Sequence, residues 1–362
     1  MNKLSSDTVR GDRAVANWIL IGVGWLLIQI ILGGITRLTG SGLSITEWKP
    51  IMGVLPPLNE QKWQDAFAKY QQIAQYKYIN SHFTLTDFKH IFFWEWFHRL
   101  WAILLGVVFV FGFVYLLWKK YLRKGMIKPL LILFLLGALQ GRVGWFMVAT
   151  GLTGDALYVE PTSLALHFIC AMGLICYAFW FGLQLRVPSS EKVSFPGLRN
   201  WTWVITGILL LQLIFGALMA GNKAATAAPT WPTINGSWVP GGMLKEEPAM
   251  RNLADNSITI HFIHRGLAYL LTLLIFFYTV KAYKIHRATR AFSFARRLPL
   301  LLILVQVILG VLAVLKSPGI IPHHWGAFEW LAQLHQVNGM LLLLSLLSML
   351  YLTSKPTFKQ PL

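Results

Sequence analysis
Apolar residues run for the length of a membrane crossing eight times along the chain, at 17–36, 91–118, 129–150, 161–185, 200–220, 257–283, 298–316 and 329–353. A stretch of about 20 apolar residues spans the hydrocarbon core as a helix. The pattern therefore predicts eight transmembrane helices joined by polar loops. Two of those loops are long. Residues 37–90 carry Arg37-Leu38-Thr39-Gly40-Ser41-Gly42-Leu43-Ser44, then an amphipathic stretch from Trp63 to Tyr78 with Asn59 placed to cap it. Residues 221–256 are rich in Pro, Gly and Trp, including Thr230-Trp231-Pro232 and Asn235-Gly236. Loops of this length are usually functional or disordered, and tryptophans suit a lid at the membrane interface.

Composition agrees with the pattern. Of 362 residues, 56% are hydrophobic and 13% charged, which excludes an ordinary soluble globule and fits a polytopic helical protein of the lipid bilayer. The net charge of +18 raises the question of nucleic acid. Its placement answers it, because the basic residues gather in alternate short loops instead of on one face. Lys119, Lys120, Arg123, Lys124 and Lys128 occupy one; Arg186, Lys192 and Arg199 a second; Lys281, Lys284, Arg287, Arg290, Arg296 and Arg297 a third; Arg10, Arg13, Lys355 and Lys359 lie at the termini. That is the positive-inside distribution with both termini cytoplasmic. The first apolar run is too long for a signal-peptide core and no Arg- and Ser-rich presequence precedes it, so a bacterial inner membrane is expected. Cys170 and Cys176 lie in one span, six residues apart, and point in different directions. They read as small buried thiols without a disulfide.

The spans repeat. Odd-numbered ones carry Gln-x-x-x-Gly: Gln29 and Gly33, Gln140 and Gly144, Gln212 and Gly216, Gln306 and Gly310. Both residues of each pair share a helix face, where the glycine lets a neighbour approach and the glutamine bonds across helices. Some of the glutamines facing a cofactor pocket is the alternative to packing alone. Even-numbered spans carry histidine: Phe97-His98-Arg99, Leu166-His167, Ile263-His264-Arg265 and Leu334-His335. Spans one to four thus resemble spans five to eight, which predicts an all-α fold of two pseudo-symmetric four-helix bundles, residues 1–190 and 191–362. With the termini inside, all four histidines fall toward the outer leaflet.

Ionisable groups in a membrane segment are costly and mark function. Two pairs of neutral imidazoles suit haem iron held from both sides, His264 with His335 and His98 with His167. A lone membrane histidine more simply makes an interhelical hydrogen bond, but four in a duplicated pattern favour ligation. Arg99 and Arg265 are candidates for the haem propionates, or they reach for interfacial water. The halves differ three residues before the first histidine of each pair, with Glu95 in one and His261 in the other. Positions three apart share a face, so Glu95 is placed to accept a proton, orient water or stabilise a cationic intermediate; bonding a polar neighbour is the plainer role. His82, His90, His286, His323 and His324 read as solvated or locally bonded, with His323 and His324 the candidates for exception.

Taken together, several stretches resemble the heme A synthase family over most of the chain. They are Gly34-Ile35-Thr36-Arg37-Leu38-Thr39 with Ser41-Gly42-Leu43-Ser44, Glu95-Trp96-Phe97-His98-Arg99, Leu139-Gln140-Gly141-Arg142-Val143-Gly144-Trp145, Thr230-Trp231-Pro232, His264-Arg265 and Leu334-His335-Gln336. The resemblance implies oxidation of the C8 methyl of heme O to a formyl group, by successive hydroxylations and loss of water, giving heme A for terminal cytochrome oxidases. It implies heme b between His264 and His335, substrate heme O at His98 and His167, an essential Glu95, and heme O synthase as the supplying partner. Oligomeric state is left open, with a homo-oligomer among the options. Part of the family carries a cysteine pair in the first outer loop; this chain has none there and so looks like the proteobacterial and mitochondrial branch. Two other readings remain at this level: a di-haem b-type cytochrome oxidising quinol, and a haem transporter or chaperone.

Overall fold
The second long helix begins before its apolar run does. Thr84 and Asp87 close a capping box, with the Asp87 carboxylate accepting from Thr84 N at 2.8 Å, and α4 runs Leu85–Trp118. The computed structural model describes residues 3–47, 54–286 and 288–355; Arg287 and Lys359 of the basic loops fall outside these. Eight of its helices are long and apolar enough to cross a membrane. Besides α4 these are α1 (Lys3–Leu38), α5 (Lys124–Gly151), α6 (Pro161–Arg186), α7 (Pro196–Gly221), α8 (Ser257–Tyr283), α10 (Leu298–Lys316) and α11 (Ala327–Leu352). Between them lie α2 (Glu60–Tyr70), α3 (Ala74–Tyr78) and α9 (Arg290–Ala295). No strand occurs among the described residues. The chain is an all-α, multi-pass membrane protein.

The local chemistry of the helix ends follows the sequence. Pro161 and Pro196 open α6 and α7 at the position where a missing N–H costs nothing. Asn59 caps α2 by accepting from Lys62 N at 2.9 Å, as its position predicts. The amphipathic stretch from Trp63 to Tyr78 is not one helix, because residues 71–73 turn the chain between α2 and α3. Nor does the third span begin at Pro129. The helix reaches back to Lys124 with the proline inside it, and buried Met126 and Leu130 hold that turn despite the lost backbone bond.

In the first half α1 packs on α4 and α6, and α5 on α6 and α4; in the second α7 packs on α8 and α11, and α10 on α11 and α8. The same ring of neighbours thus occurs twice, as the repeat implies. The halves meet through α6, α7, α1 and α11, where Gln333 and Gln336 of α11 donate to the carbonyls of Ile31 and Ile30 at 3.3 and 3.1 Å. Side-chain amides of this kind join helices where lipid supplies no hydrophobic drive. The first long loop folds onto the end of α4 around Tyr70, Phe83, Phe88 and Phe92. Burial pushes the Tyr70 phenol up to about 12 while Asn80 donates to its oxygen at 2.7 Å.

A candidate haem site
Each histidine lies in a seat made by the preceding helix. A Cβ built on Gly144 or Gly310 would come within 2.8 Å of Cε1 of His167 or His335. At Gly33 the nearest ring atom, Nε2 of His98, would be 3.2 Å away, and at Gly216 Cε1 of His264 would also be 3.2 Å away. Only glycine admits the rings so close to the helix. The glutamines one turn away address the same histidines. Gln29 Nε2 donates to the His98 carbonyl at 3.2 Å, and Gln140 Nε2 to the His167 carbonyl at 3.1 Å. Gln212 and Gln306 bring their Nε2 amides to Nε2 of His264 and His335 at 3.3 and 3.2 Å. An amide N–H can only donate, so those imidazole nitrogens accept and carry the lone pair. At His335 the other nitrogen settles the tautomer, as Nδ1 donates to the Gln306 carbonyl at 3.0 Å. The glutamine motif does more than pack helices: all four line the cavity described next.

His98, His167, His264 and His335 line one cavity of about 1200 Å³ with mostly apolar walls. Across it the rings of His264 and His335 stand opposite one another with centroids 6.3 Å apart and planes inclined at 63°. Metal–imidazole bonds of about 2 Å on each side, with about 1 Å from nitrogen to ring centre, place two axial rings about 6 Å apart. This pair, with glycine seats and lone pairs on Nε2, fits a haem iron between them. His98 and His167 line the same space from α4 and α6.

Glu95 is buried at 2% exposure and borders the cavity. Its carboxylate accepts from Ser44 Oγ at 2.7 Å, Ile45 N at 2.9 Å and Arg99 Nη2 at 2.5 Å. Arg99 also donates to the Ile45 carbonyl at 3.2 Å. Glu95 and Arg99 thus hold the first long loop against α4. Their counterparts do the same in the other half. His261 Nε2 bonds the Ala224 carbonyl at 2.7 Å, and Arg265 donates to the carbonyls of Ala228 and Thr233 at 2.9 and 3.1 Å.

Sequence reasoning missed part of the cavity's polar rim. Arg37 and Lys223 line it together with Arg265. Lys223 stands with Nζ 3.1 Å above the Tyr158 ring, and burial, aided by Arg37, pulls its ammonium down to about 8. Glu329 lines the same rim, buried at the start of α11. The available signal was basic residues at the span ends opposite the basic short loops, which run against the expected positive-inside trend. Of the other histidines, His82, His90, His286 and His324 are exposed. His323 is exposed as well, but it also lines the cavity, bonds Asn80 Oδ1 at 3.0 Å and has its basicity lowered by partial burial. Cys170 and Cys176 are free thiols, as their spacing implies.

Known proteins resemble this chain over most of its length. The family model described as COX15-CtaA, cytochrome oxidase assembly protein, matches residues 16–347. The heme A synthase of Nitrosomonas eutropha is 38% identical over 318 residues, covering 87% of this chain and 89% of that protein. That of a Bradyrhizobium species (strain ORS 278) is 38% identical over 337 residues, with 92% and 90% covered. That of Flavobacterium psychrophilum is 36% identical over 339 residues, with 92% and 96% covered. With a match over nearly the whole length and the seated histidines in place, the chain belongs to the COX15-CtaA family of cytochrome oxidase assembly proteins, the heme A synthases.

Proposed function
We propose that the chain is a heme A synthase of a bacterial inner membrane, with both termini cytoplasmic, acting on heme O delivered by heme O synthase. The observation that carries this reading is the facing pair His264 and His335 in a cavity shared with a second seated pair, His98 and His167. In the proposal His264 and His335 would hold heme b, which would supply electron transfer at that site. His98 and His167 would take the iron of the substrate, heme O, whose C8 methyl would reach the formyl level through two successive two-electron hydroxylations and loss of water, with the electrons passing to an acceptor outside the chain.

The protein's own contribution is binding and charge. The glycine seats fix where the imidazoles stand, and the amides of Gln212 and Gln306 keep Nε2 of His264 and His335 unprotonated, so that iron would take each lone pair in place of the amide. Glu95, held by Ser44, Ile45 and Arg99, keeps a carboxylate beside the substrate pair and opposes positive charge developing at the methyl carbon. Arg37 and Lys223 supply cations at the rim for the porphyrin carboxylates, while Arg265 gives both Nη donors to the carbonyls of Thr233 and Ala228. Arg99, the other propionate candidate, spends its donors on Glu95 and Ile45.

The test is to co-express the chain with heme O synthase, extract the pigments and separate them by mass. Heme A is the expected product. Pigments with every methyl group intact would overturn the assignment in favour of a carrier or a binding protein.

A further inference from the structure
The cavity is deeper in one half than in the other. Counted from the seat glycines and the histidines, its wall in the second half ends seven residues inward on every helix, at Leu209, Leu271, Ile303 and Leu342. In the first half it continues for eleven residues on α4, α5 and α6, to Phe109, Leu133 and Ala178, and for fifteen on α1, to Trp18. At 1.5 Å per residue, the second half is open for about 10 Å below its histidines and the first for about 16 Å or more.

Paired positions account for the difference. Gly22, Gly106, Gly137 and Ala178 line the first half where the same offsets in the second half bring Ile205, Thr272, Ile303 and Leu346. Ile205, Ile303 and Leu346 are buried in the core and close the corresponding space. A Cβ built on Gly22, Gly106 or Gly137 meets nothing within 4 Å. The extension also has a side opening: Val108 of α4 and Phe134 of α5 line it and are exposed on the outside of the bundle. There α4 and α5 pack more sparsely than their counterparts α8 and α10.

We propose that this extension is a tunnel for the isoprenoid tail of the substrate porphyrin, and that its closure in the second half restricts that site to a haem without a tail. The inference rests on the reading of the first half as the heme O site. The tunnel is apolar, continuous with the histidine pair, opens sideways toward lipid and has about the length of an extended farnesyl chain. A tail arriving from the bilayer leaves surroundings as apolar as the tunnel wall. The gain is therefore contact with a fitted surface, not transfer from water. Exclusion from the second half is steric, since Ile205, Ile303 and Leu346 occupy the volume.

The test uses the purified full-length protein with its second-half haem in place, titrated with heme O and with protohaem, which has a vinyl group in place of the tail. Wild type is expected to bind heme O tighter by about tenfold or more. Gly137→Leu and, separately, Gly22→Leu should abolish that preference and lower heme A formation. Both should leave protohaem affinity, second-half haem content and its absorption spectrum unchanged. If one variant loses the second-half haem the other is read, and if both do the wild-type pair of titrations decides. Equal affinities in wild type, or a preference that survives filling, overturn the tunnel. A wild type that prefers heme O but leaves its methyl group unaltered overturns the functional reading and leaves the tunnel standing.

Discussion

At the residue scale the duplicated pattern works because the same few contacts recur with one change. Position −3 from the histidine and position +1 both tie the outer loop to the helix, through Glu95 and Arg99 in the first half and His261 and Arg265 in the second. Only the first half does this with a carboxylate. Glu95→Gln keeps an acceptor for Ser44 and Ile45 but removes the negative charge. Heme A output is expected to fall about 100-fold, as when one stabilising group is taken from a developing charge, with heme O or its alcohol accumulating and second-half haem retained. Pigment analysis by mass together with the haem spectrum checks both parts. Lys223 gives a separate pH prediction. Its ammonium is lowered to about 8 by burial, with Arg37 adding to the effect, so it is cationic below that pH and neutral above. Affinity for a porphyrin carboxylate at the rim should be level up to about pH 8 and fall above it, whereas Lys223→Met should be weaker and level throughout. Stability moves the other way: between about pH 8 and the ordinary lysine value the unfolded chain binds the extra proton, so folding gains as pH rises. Spectroscopic titration of the loaded protein over that range measures the first effect, and thermal unfolding of the free protein the second.

At the scale of elements, the glycine seats order the expected damage. Alanine at Gly310 or Gly144 places a methyl 2.8 Å from the facing imidazole, closer than at Gly33 or Gly216 with 3.2 Å. Gly310→Ala should therefore lose most second-half haem and Gly216→Ala only part of it. Gly24→Ala on α1 meets nothing within 4 Å and should be silent; haem-to-protein ratios of the purified variants rank them. The eight helices and the histidine level were legible in the sequence, because apolar length and a repeated residue type are local properties. The ends were less so. Thr84 and Asp87 start α4 ahead of its apolar run, and Pro129 lies inside α5 because buried neighbours outweigh its missing N–H. In the first long loop only the helix capped by Asn59 was legible; how the loop folds was not, since Tyr70, Phe83, Phe88 and Phe92 come together only through long-range packing. The glutamine and glycine motif was legible as a helix contact. Its partner was not, because one sequence does not say which neighbour a face meets.

At the scale of the whole molecule, orientation decides what the cavity can do. The histidine pairs, the basic rim and both long loops lie at one end of the bundle, and the basic short loops at the other. In the proposed orientation, which follows the positive-inside distribution, the end with the basic short loops would lie in the cytoplasm. The haem irons would then stand near the outer leaflet, and the tail tunnel would run inward from them. Two exposed serines report the sides: Ser237 in the second long loop and Ser190 in the loop between α6 and α7. The chain's own cysteines, both within α6, set a low background for a thiol label that cannot cross the membrane. In intact spheroplasts Ser237→Cys should label and Ser190→Cys should label only after the membrane is opened. The reverse pattern would put the porphyrin sites beside the cytoplasm and make the basic loops an exception to the charge rule.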